Sequence, residues 1–324
     1  LDAELAALER ERGALSAEIG PNLGGARAAA EDRLLGLAAR EKAAATSRSF
    51  VLEGWIPAAG FPRLSQTLAE RFGPRIVVES VAREDWQGES APVVLTNPRL
   101  FRPFETITRM VPLPAYGTID PTPFVAVFFP MFFGLILGDI GYGLVLAILA
   151  LWLRHGGAPG STRRAVAEVL GAAAAFSVAF GIAFGEFFGD LGLRWFGMRP
   201  LLLDREHSLL SFLALAVAIG AVHIILGLAL GVYNASRGHP RQAVGKGASL
   251  VMVLLIVVVL LAALEVLPRG LMTPAVVGLL VLFPVLILAE GIIAPIEFLS
   301  TLSNILSYAR IMALGTASVM MAVV

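Results

Sequence analysis

Cysteine is absent from the 324 residues, which excludes disulfides, thiolate metal sites and cysteine nucleophiles. Charge is scarce: 15% of residues are Asp, Glu, Lys or Arg, against about 25% in soluble domains. The formal net charge is zero, so nothing points to nucleic acid. Lysine is nearly missing, the cations being almost all arginine, a weak sign of genome or thermal bias. The polar part holds no Gly-rich phosphate loop, Walker motif or catalytic-triad pattern, so ATP is not expected to bind there. No cofactor or metal site is expected either. What abounds is apolar: 57% of the chain is hydrophobic and its mean hydropathy is +0.78. Most of this chain is built for lipid.

The charges are uneven. Residues 1–122 carry most of them and 123–324 are largely apolar, which divides the chain into a soluble arm with its linker and a transmembrane domain. The expected fold is mostly α: an α+β arm, made of a helical hairpin or coiled coil plus a small βαβ unit, followed by a polytopic α-helical membrane domain. The chain opens on Leu1 inside a helical pattern and stops at Val324 inside an apolar run, so it reads as part of a longer protein. No signal peptide is visible.

In the arm, Leu1, Leu5, Leu8, Arg12, Leu15 and Ile19 alternate at spacings of four and three, a heptad seam with one polar interruption. Pro21 and Gly24–Gly25 predict a break, and an Ala/Leu-rich second helix is expected at roughly 26–45. The pair suits an ordinary antiparallel hairpin or a lever bound to a soluble partner, readings that are compatible. Residues 49–56 read as a strand ended by Pro57, 61–72 as an amphipathic helix and 75–81 as a second strand, a βαβ-type unit. Prolines 98, 103, 112, 114, 121 and 123 mark 92–123 as an irregular linker.

Apolar runs occupy 123–153, 165–189, 208–232, 248–267, 273–293 and 296–324. One span needs about 20 residues, so the first run is too long. It is interrupted at Gly138-Asp139-Ile140-Gly141-Tyr142-Gly143, a poor helix centre in lipid and a good turn. A hairpin of two short helices, about 123–137 and 140–153, is expected, making seven membrane helices. The soluble arm, the loop with Arg154, Arg163 and Arg164, and the loop with Arg237, Arg241 and Lys246 then share the cytoplasmic side. Arg194, Arg199 and Arg205 are mixed with Asp204 and Glu206 between them.

A charge at membrane depth is costly unless paired or hydrated, so each is a functional candidate. Asp139, Glu186, Asp190, His223, Glu265, Glu290, Glu297 and Arg310 qualify. Glu265, beside Pro268 and Arg269, reads as interfacial, and Glu168 as a surface partner of Arg164. Glu186 and Asp190 are interfacial or lie at the mouth of a polar path, where Asp139 and His223 are further candidates; a lone buried histidine such as His223 is more often a hydrogen-bonded structural residue than a proton carrier. The last run is the richest. Ser303, Ser307 and Arg310 fall at i, i+4 and i+7 on one helical face, with Glu297, Thr301 and Asn304 on an adjacent one. Arg310 has at least ten mostly apolar residues on each side, too deep to snorkel out. It must meet water or a carboxylate, inside this chain (Glu297 or Asp139) or on another.

A carboxylic acid buried in lipid keeps its proton, and a permanent cation beside it favours the anion. An acid on a moving partner could therefore load a proton from one hydrated path, cross lipid, and release it near Arg310 into another. Lysine would serve poorly, since burial lowers its pKa. Glu297, Ser300, Ser303, Asn304, Ser307 and Glu290 suit the polar path. A stand-alone secondary transporter with midplane charges and a non-conducting scaffold are the alternatives; no internal inverted repeat is visible.

Several pieces resemble one family. They are Ser307-Tyr308-Ala309-Arg310-Ile311-Met312-Ala313-Leu314, Ile119-Asp120-Pro121-Thr122-Pro123-Phe124, Phe132-Phe133-Gly134 through Gly138-Asp139-Ile140-Gly141-Tyr142-Gly143, and Glu53-Gly54-Trp55-Ile56-Pro57. In this order they resemble the membrane-embedded subunit a, or subunit I, of rotary V-type and A-type ATPases. The resemblance implies a non-catalytic, ion-translocating stator subunit, coupling proton movement to rotation and to ATP synthesis or hydrolysis. It implies a multi-pass protein of the cell membrane, if bacterial or archaeal, with eight membrane helices and a cytoplasmic arm on peripheral stalks. The last two helices would face a proteolipid ring, and a central-stalk-side subunit is a further candidate partner. Arg310 matches the arginine facing the ring carboxylate and Glu297 a half-channel residue. A second arginine belongs to a final helix not in this sequence.

Overall fold

The computed structural model describes residues 2–41, 43–81, 91–205 and 207–323. The chain forms two compact units, 1–92 and 93–324.

In the first unit, α1 (Asp2–Glu41) is one uninterrupted helix of 40 residues. The expected break at Pro21 and Gly24–Gly25 does not occur. A proline inside a helix costs about 3 kcal/mol and a glycine about 1, which a long run of Ala, Leu, Glu and Arg outweighs. The side chains of Leu5, Leu8 and Leu15 in the heptad seam lie outside the described residues. The helix ends before residue 45 because Thr46 and Ser49 make a tight turn. Thr46 Oγ1 accepts from Ser49 N at 3.0 Å, and Thr46 N donates to Ser49 O at 2.7 Å. The turn pairs β1 (Ala44–Ala45) antiparallel with β2 (Phe50–Val51). The expected βαβ unit is therefore replaced, among the described residues, by this short hairpin followed by α2 (Phe61–Phe72), which matches its predicted bounds. Residues 76–81 are not part of a strand: β-branched residues suit a pleated surface, but only a pairing partner makes a ladder.

The second unit begins in the proline-rich stretch, which folds onto the helices. Phe104 is buried, and α3 (Glu105–Thr108) packs beside α4 (Thr122–Leu137). Thr108 and Thr122 hydroxyls meet at 3.1 Å. Asp120 accepts from Thr122 N at 2.8 Å and from Asn97 Nδ2 at 2.7 Å, satisfying the start of α4. Burial pushes the Asp120 carboxyl up, but the hydrogen bonds from Thr122 and Asn97 outweigh it and hold it below the usual range.

The expected hairpin in the first apolar run is present. Gly138 takes the left-handed conformation (φ +36°) that closes α4. Asp139 then caps α5 (Ile140–His155), its carboxylate accepting from Tyr142 N at 3.0 Å. Both pack on α6 (Thr162–Phe184), capped by Ser161. The approach is close because the interface is glycine: a Cβ on Gly134 would lie 2.6 Å from the Phe176 carbonyl carbon, and one on Gly143 2.7 Å from Val178 Cγ2. Arg164 and Glu168 pair at 3.3 Å along α6, and Arg269 pairs with Glu265, as their spacing suggests.

After α7 (Leu191–Phe196) come α8 (Leu209–Ser236), α9 (Pro240–Ala263) and α10 (Met272–Glu290). Arg241 and Lys246 lie inside α9, not in the loop where the sequence reading puts them, because Pro240 starts the helix early. Arg241 caps α10, donating to Leu288 O at 3.0 Å and Ala289 O at 2.9 Å. The last run is also different from expectation. It is split into α11 (Ala294–Leu306) and α12 (Ala309–Val323), with Ser307–Tyr308 between them.

Among the described residues four segments are long and apolar enough to cross a membrane: Thr162–Phe184, Leu209–Ser236, Pro240–Ala263 and Arg269–Glu290; α4 and α5 are shorter apolar helices. One apolar cluster, around Met252, Val253, Leu286 and Phe298, joins α9, α10 and α11. A second, around Leu135, Phe184, Phe212 and Ile311, joins α12 to α4, α6 and α8.

Candidate functional site

Pro295 starts α11, and its apolar side enters the first cluster through Ala294 and Phe298. The polar residues are thereby turned outward. Glu297, Ser300, Ser303 and Asn304 are exposed and Ser307 is half-buried. Two hydroxyls fold back on the helix: Thr301 Oγ1 donates to Glu297 O at 3.0 Å and Ser307 Oγ to Ser303 O at 2.9 Å. Their donors are used, while their acceptor lone pairs stay open.

Arg310 sits on the second residue of α12 and is exposed. Its Nε donates to Ser307 O at 3.2 Å. Among the described residues no carboxylate lies within ion-pair distance of it, so neither Glu297 nor Asp139 is its partner. The guanidinium and the polar stripe share the outer surface of the chain rather than its core.

A cleft of about 220 Å³ opens between α8, α9, α10 and α11. It brings together Glu290, Glu297 and Thr301 with Lys246 and Ser249. Glu290 reaches it because Gly245 has no side chain: a Cβ there would strike the Glu290 side chain. Lys246 is a site residue that the sequence reading missed. Its signal was Pro240, which places it in the second turn of a helix instead of a loop.

The four mouth candidates lie elsewhere and have partners. Asp139 is buried; besides capping α5 it accepts from Phe188 N at 3.0 Å and Gly189 N at 2.7 Å. It thus holds the loop after α6. Asp190 pairs with Arg194. His223 Nδ1 is hydrogen-bonded to the Tyr308 hydroxyl. Glu186 pairs with Arg205, whose side chain is 0% exposed.

From the sequence Arg205 reads only as one of several mixed loop charges. Its Nε donates to Glu186 Oε1 at 2.8 Å. Its two terminal nitrogens donate to the carbonyls of Leu135 (3.3 Å), Ile136 (3.0 Å), Leu137 (3.3 Å) and Gly138 (3.1 Å). These are the last three carbonyls of α4 and that of Gly138, which caps it; no turn of the helix can satisfy them, and the cation also meets the negative end of the helix dipole. The rings of Phe184 and Phe212 lie 4.6 and 5.9 Å from its guanidinium carbon. Among the described residues no buried side-chain nitrogen or oxygen lacks a partner.

Apolar helices of spanning length, broken helices and buried charges saturated within the chain define a class: an α-helical membrane protein. Comparison with known proteins narrows it. Residues 40–165 match the model of the V-type ATPase 116 kDa subunit family. The A-type ATP synthase subunit I of Thermococcus kodakarensis is 31% identical over 291 residues, covering 85% of this chain and 44% of that protein. Its counterpart from Pyrococcus abyssi is 30% identical over 283 residues, 84% of this chain and 43% of that protein. The subunit I of Methanothermobacter thermautotrophicus is 29% identical over 275 residues, 83% and 40% respectively. The family model and these relatives agree in supporting a subunit I of V/A-type ATPases, and the chain spans less than half the length of these relatives.

Proposed function

We propose that this chain is part of the stator subunit in the membrane sector of a rotary ATPase, and that Arg310 expels the proton from an acid carried past it on a proteolipid ring. The observation that carries the reading is Arg310 itself. It is a permanent cation on an apolar helix, exposed, and among the described residues only a carbonyl is its partner. A charge left so in hydrocarbon is costly, and an anion supplied by another subunit removes that cost. The outward stripe of Glu297, Ser300, Ser303, Asn304 and Ser307 supports a hydrated path on the same surface. The cleft holding Glu290, Glu297 and Lys246 supports its continuation between helices. Asp139, Glu186, Asp190 and His223 enter the proposal as the frame of a possible mouth, their polar groups already bonded within the chain.

The rest follows from membership of such a complex. The chain crosses the membrane several times, its arm is cytoplasmic and held by peripheral stalks, and its work is proton translocation coupled to ATP synthesis or hydrolysis. The chemistry asked of Arg310 is electrostatic: lowering the proton affinity of a passing acid and barring direct leakage between two paths. Arginine keeps its charge on burial, and lysine does not. The test is ATP-driven proton pumping by the whole complex in vesicles with Arg310→Lys. Pumping should fall to background while the complex still assembles; an unchanged rate sinks the reading.

A further inference from the structure

The break between α11 and α12 occurs at Ser307–Tyr308, where the sequence offers neither glycine nor proline. Something outside the segment must set it, and Tyr308 is held from three sides. Its ring lies over Gly220 of α8, where any Cβ would fall 2.7 Å from the Tyr308 Cβ and closer still to the ring. Its hydroxyl is bonded to His223 Nδ1, three residues further along the same helix. Its ring centre is 5.4 Å from that of Phe132 on α4. His223 is fixed in turn, its ring centre 4.2 Å from Phe128 and 5.4 Å from Phe132.

The same face of α12 continues the anchorage. Ile311 is buried in the cluster of Leu135, Phe184 and Phe212, and a Cβ on Gly315 would lie 2.8 Å from Phe212 Cε1. Positions 308, 311 and 315 fall at i, i+3 and i+7, one inner stripe. Arg310, two residues from Tyr308, is turned about 200° away from it, and it is exposed together with Leu314.

We propose that Tyr308, seated in the Gly220 notch and tied to His223, is a positioning residue that sets the height and rotation of Arg310. This rests on the reading of Arg310 given above. The tie is the anchor nearest the break. Without it the helix start can shift by a residue, which moves Arg310 by about 1.5 Å along the axis and about 100° around it. An electrostatic group displaced that far from its target loses most of its effect.

The experiment uses the complete rotary complex in proteoliposomes, with assembled complex, ATP hydrolysis and proton uptake measured on the same sample. Arg310→Lys is the reference, and Tyr308→Phe and Gly220→Ala are the probes. Tyr308→Phe should assemble at the normal level yet move about two- to tenfold fewer protons per ATP, the range for one net hydrogen bond read as a population shift. Gly220→Ala should lose roughly tenfold or more, because the added carbon collides with the ring. In Tyr308→Phe combined with His223→Phe the loss should match that of Tyr308→Phe alone, since both remove one bond. If Arg310→Lys pumps normally, the stator reading has failed and this proposal with it. If Arg310→Lys is inactive but Tyr308→Phe keeps the normal ratio of protons to ATP, positioning by Tyr308 is overturned and the stator reading stands. If Tyr308→Phe lowers only the amount of assembled complex, at a normal ratio, the residue is structural and the proposal is likewise overturned. Should Gly220→Ala not assemble, Tyr308→Phe decides.

Discussion

Arg205 and Arg310 are the same side chain in the same apolar unit, treated in opposite ways. Arg205 is enclosed, with a carboxylate and four backbone carbonyls around its guanidinium. Arg310 is open, with one carbonyl. The first arrangement answers every demand of a buried cation within the chain and leaves nothing for a partner. The second leaves the anion to be supplied from outside. On the function proposed above, unfilled coordination rather than burial marks the working charge. Mutation tests whether the two arginines differ in this way.

The largest effect belongs to Arg205→Ala. It strands the Glu186 carboxylate and the end carbonyls of α4 in a dry site, and breaking one partner of a buried pair costs about 3–5 kcal/mol. Urea or thermal unfolding of the full subunit in detergent should show that loss. Arg205→Lys should recover little of it, because an ammonium cannot serve a carboxylate and two pairs of carbonyls at once. A stable Arg205→Ala protein would mean that water, not the guanidinium, satisfies α4.

Next come the glycines that let the broken helices meet. Gly134→Ala places a carbon 2.6 Å from backbone of α6, an overpacking worth about 1–3 kcal/mol. A Cβ added to Gly171, on the same α6, would meet Ala150 Cβ at an ordinary 3.9 Å. Gly171→Ala should instead stabilise by up to about 1 kcal/mol through helix propensity. Equal effects at the two sites would remove the close-packing account.

The two arginines also separate what a sequence can tell from what it cannot. The break at Gly138–Asp139 was legible, because a left-handed glycine followed by a capping aspartate is a local device. Arg310 was legible as a candidate, a lone cation amid apolar residues with hydroxyls at helical spacing, and its role rests on the proposal above. Arg205 was not, since its meaning lies in pairing with Glu186 and the end of α4, far away in the chain, and its neighbours Asp204 and Glu206 disguise it as loop charge. Tyr308 was hidden for the same reason: Gly220 and His223 lie on another helix. In the arm, α2 was legible from its amphipathic period. The continuity of α1 through Pro21 was not, because summed helix propensity outweighed a local breaker.

A smaller effect concerns Asp120, at the entry to α4. Its folded pKa is depressed, so its contribution is full above the ordinary carboxylate range and is lost as pH falls through the folded value. Asp120→Ala should cost about 1 kcal/mol near neutral pH, the size of a helix cap. The difference from the unmutated protein should shrink in acid. A gap that is constant with pH would show that shape rather than charge matters there.

The smallest effect on the fold is expected for Arg310→Ala, and it tests the comparison most directly. Removing an exposed side chain without an ion-pair partner among the described residues should change stability by no more than about 0.5 kcal/mol. The same substitution should stop proton pumping by the complex. Stability and function would then separate cleanly, with Arg205 carrying the first and Arg310 the second. If Arg310→Ala instead destabilised the subunit by several kcal/mol, the guanidinium would be answering an anion of its own chain. It could not then serve a passing acid, and the contrast between the two arginines would disappear.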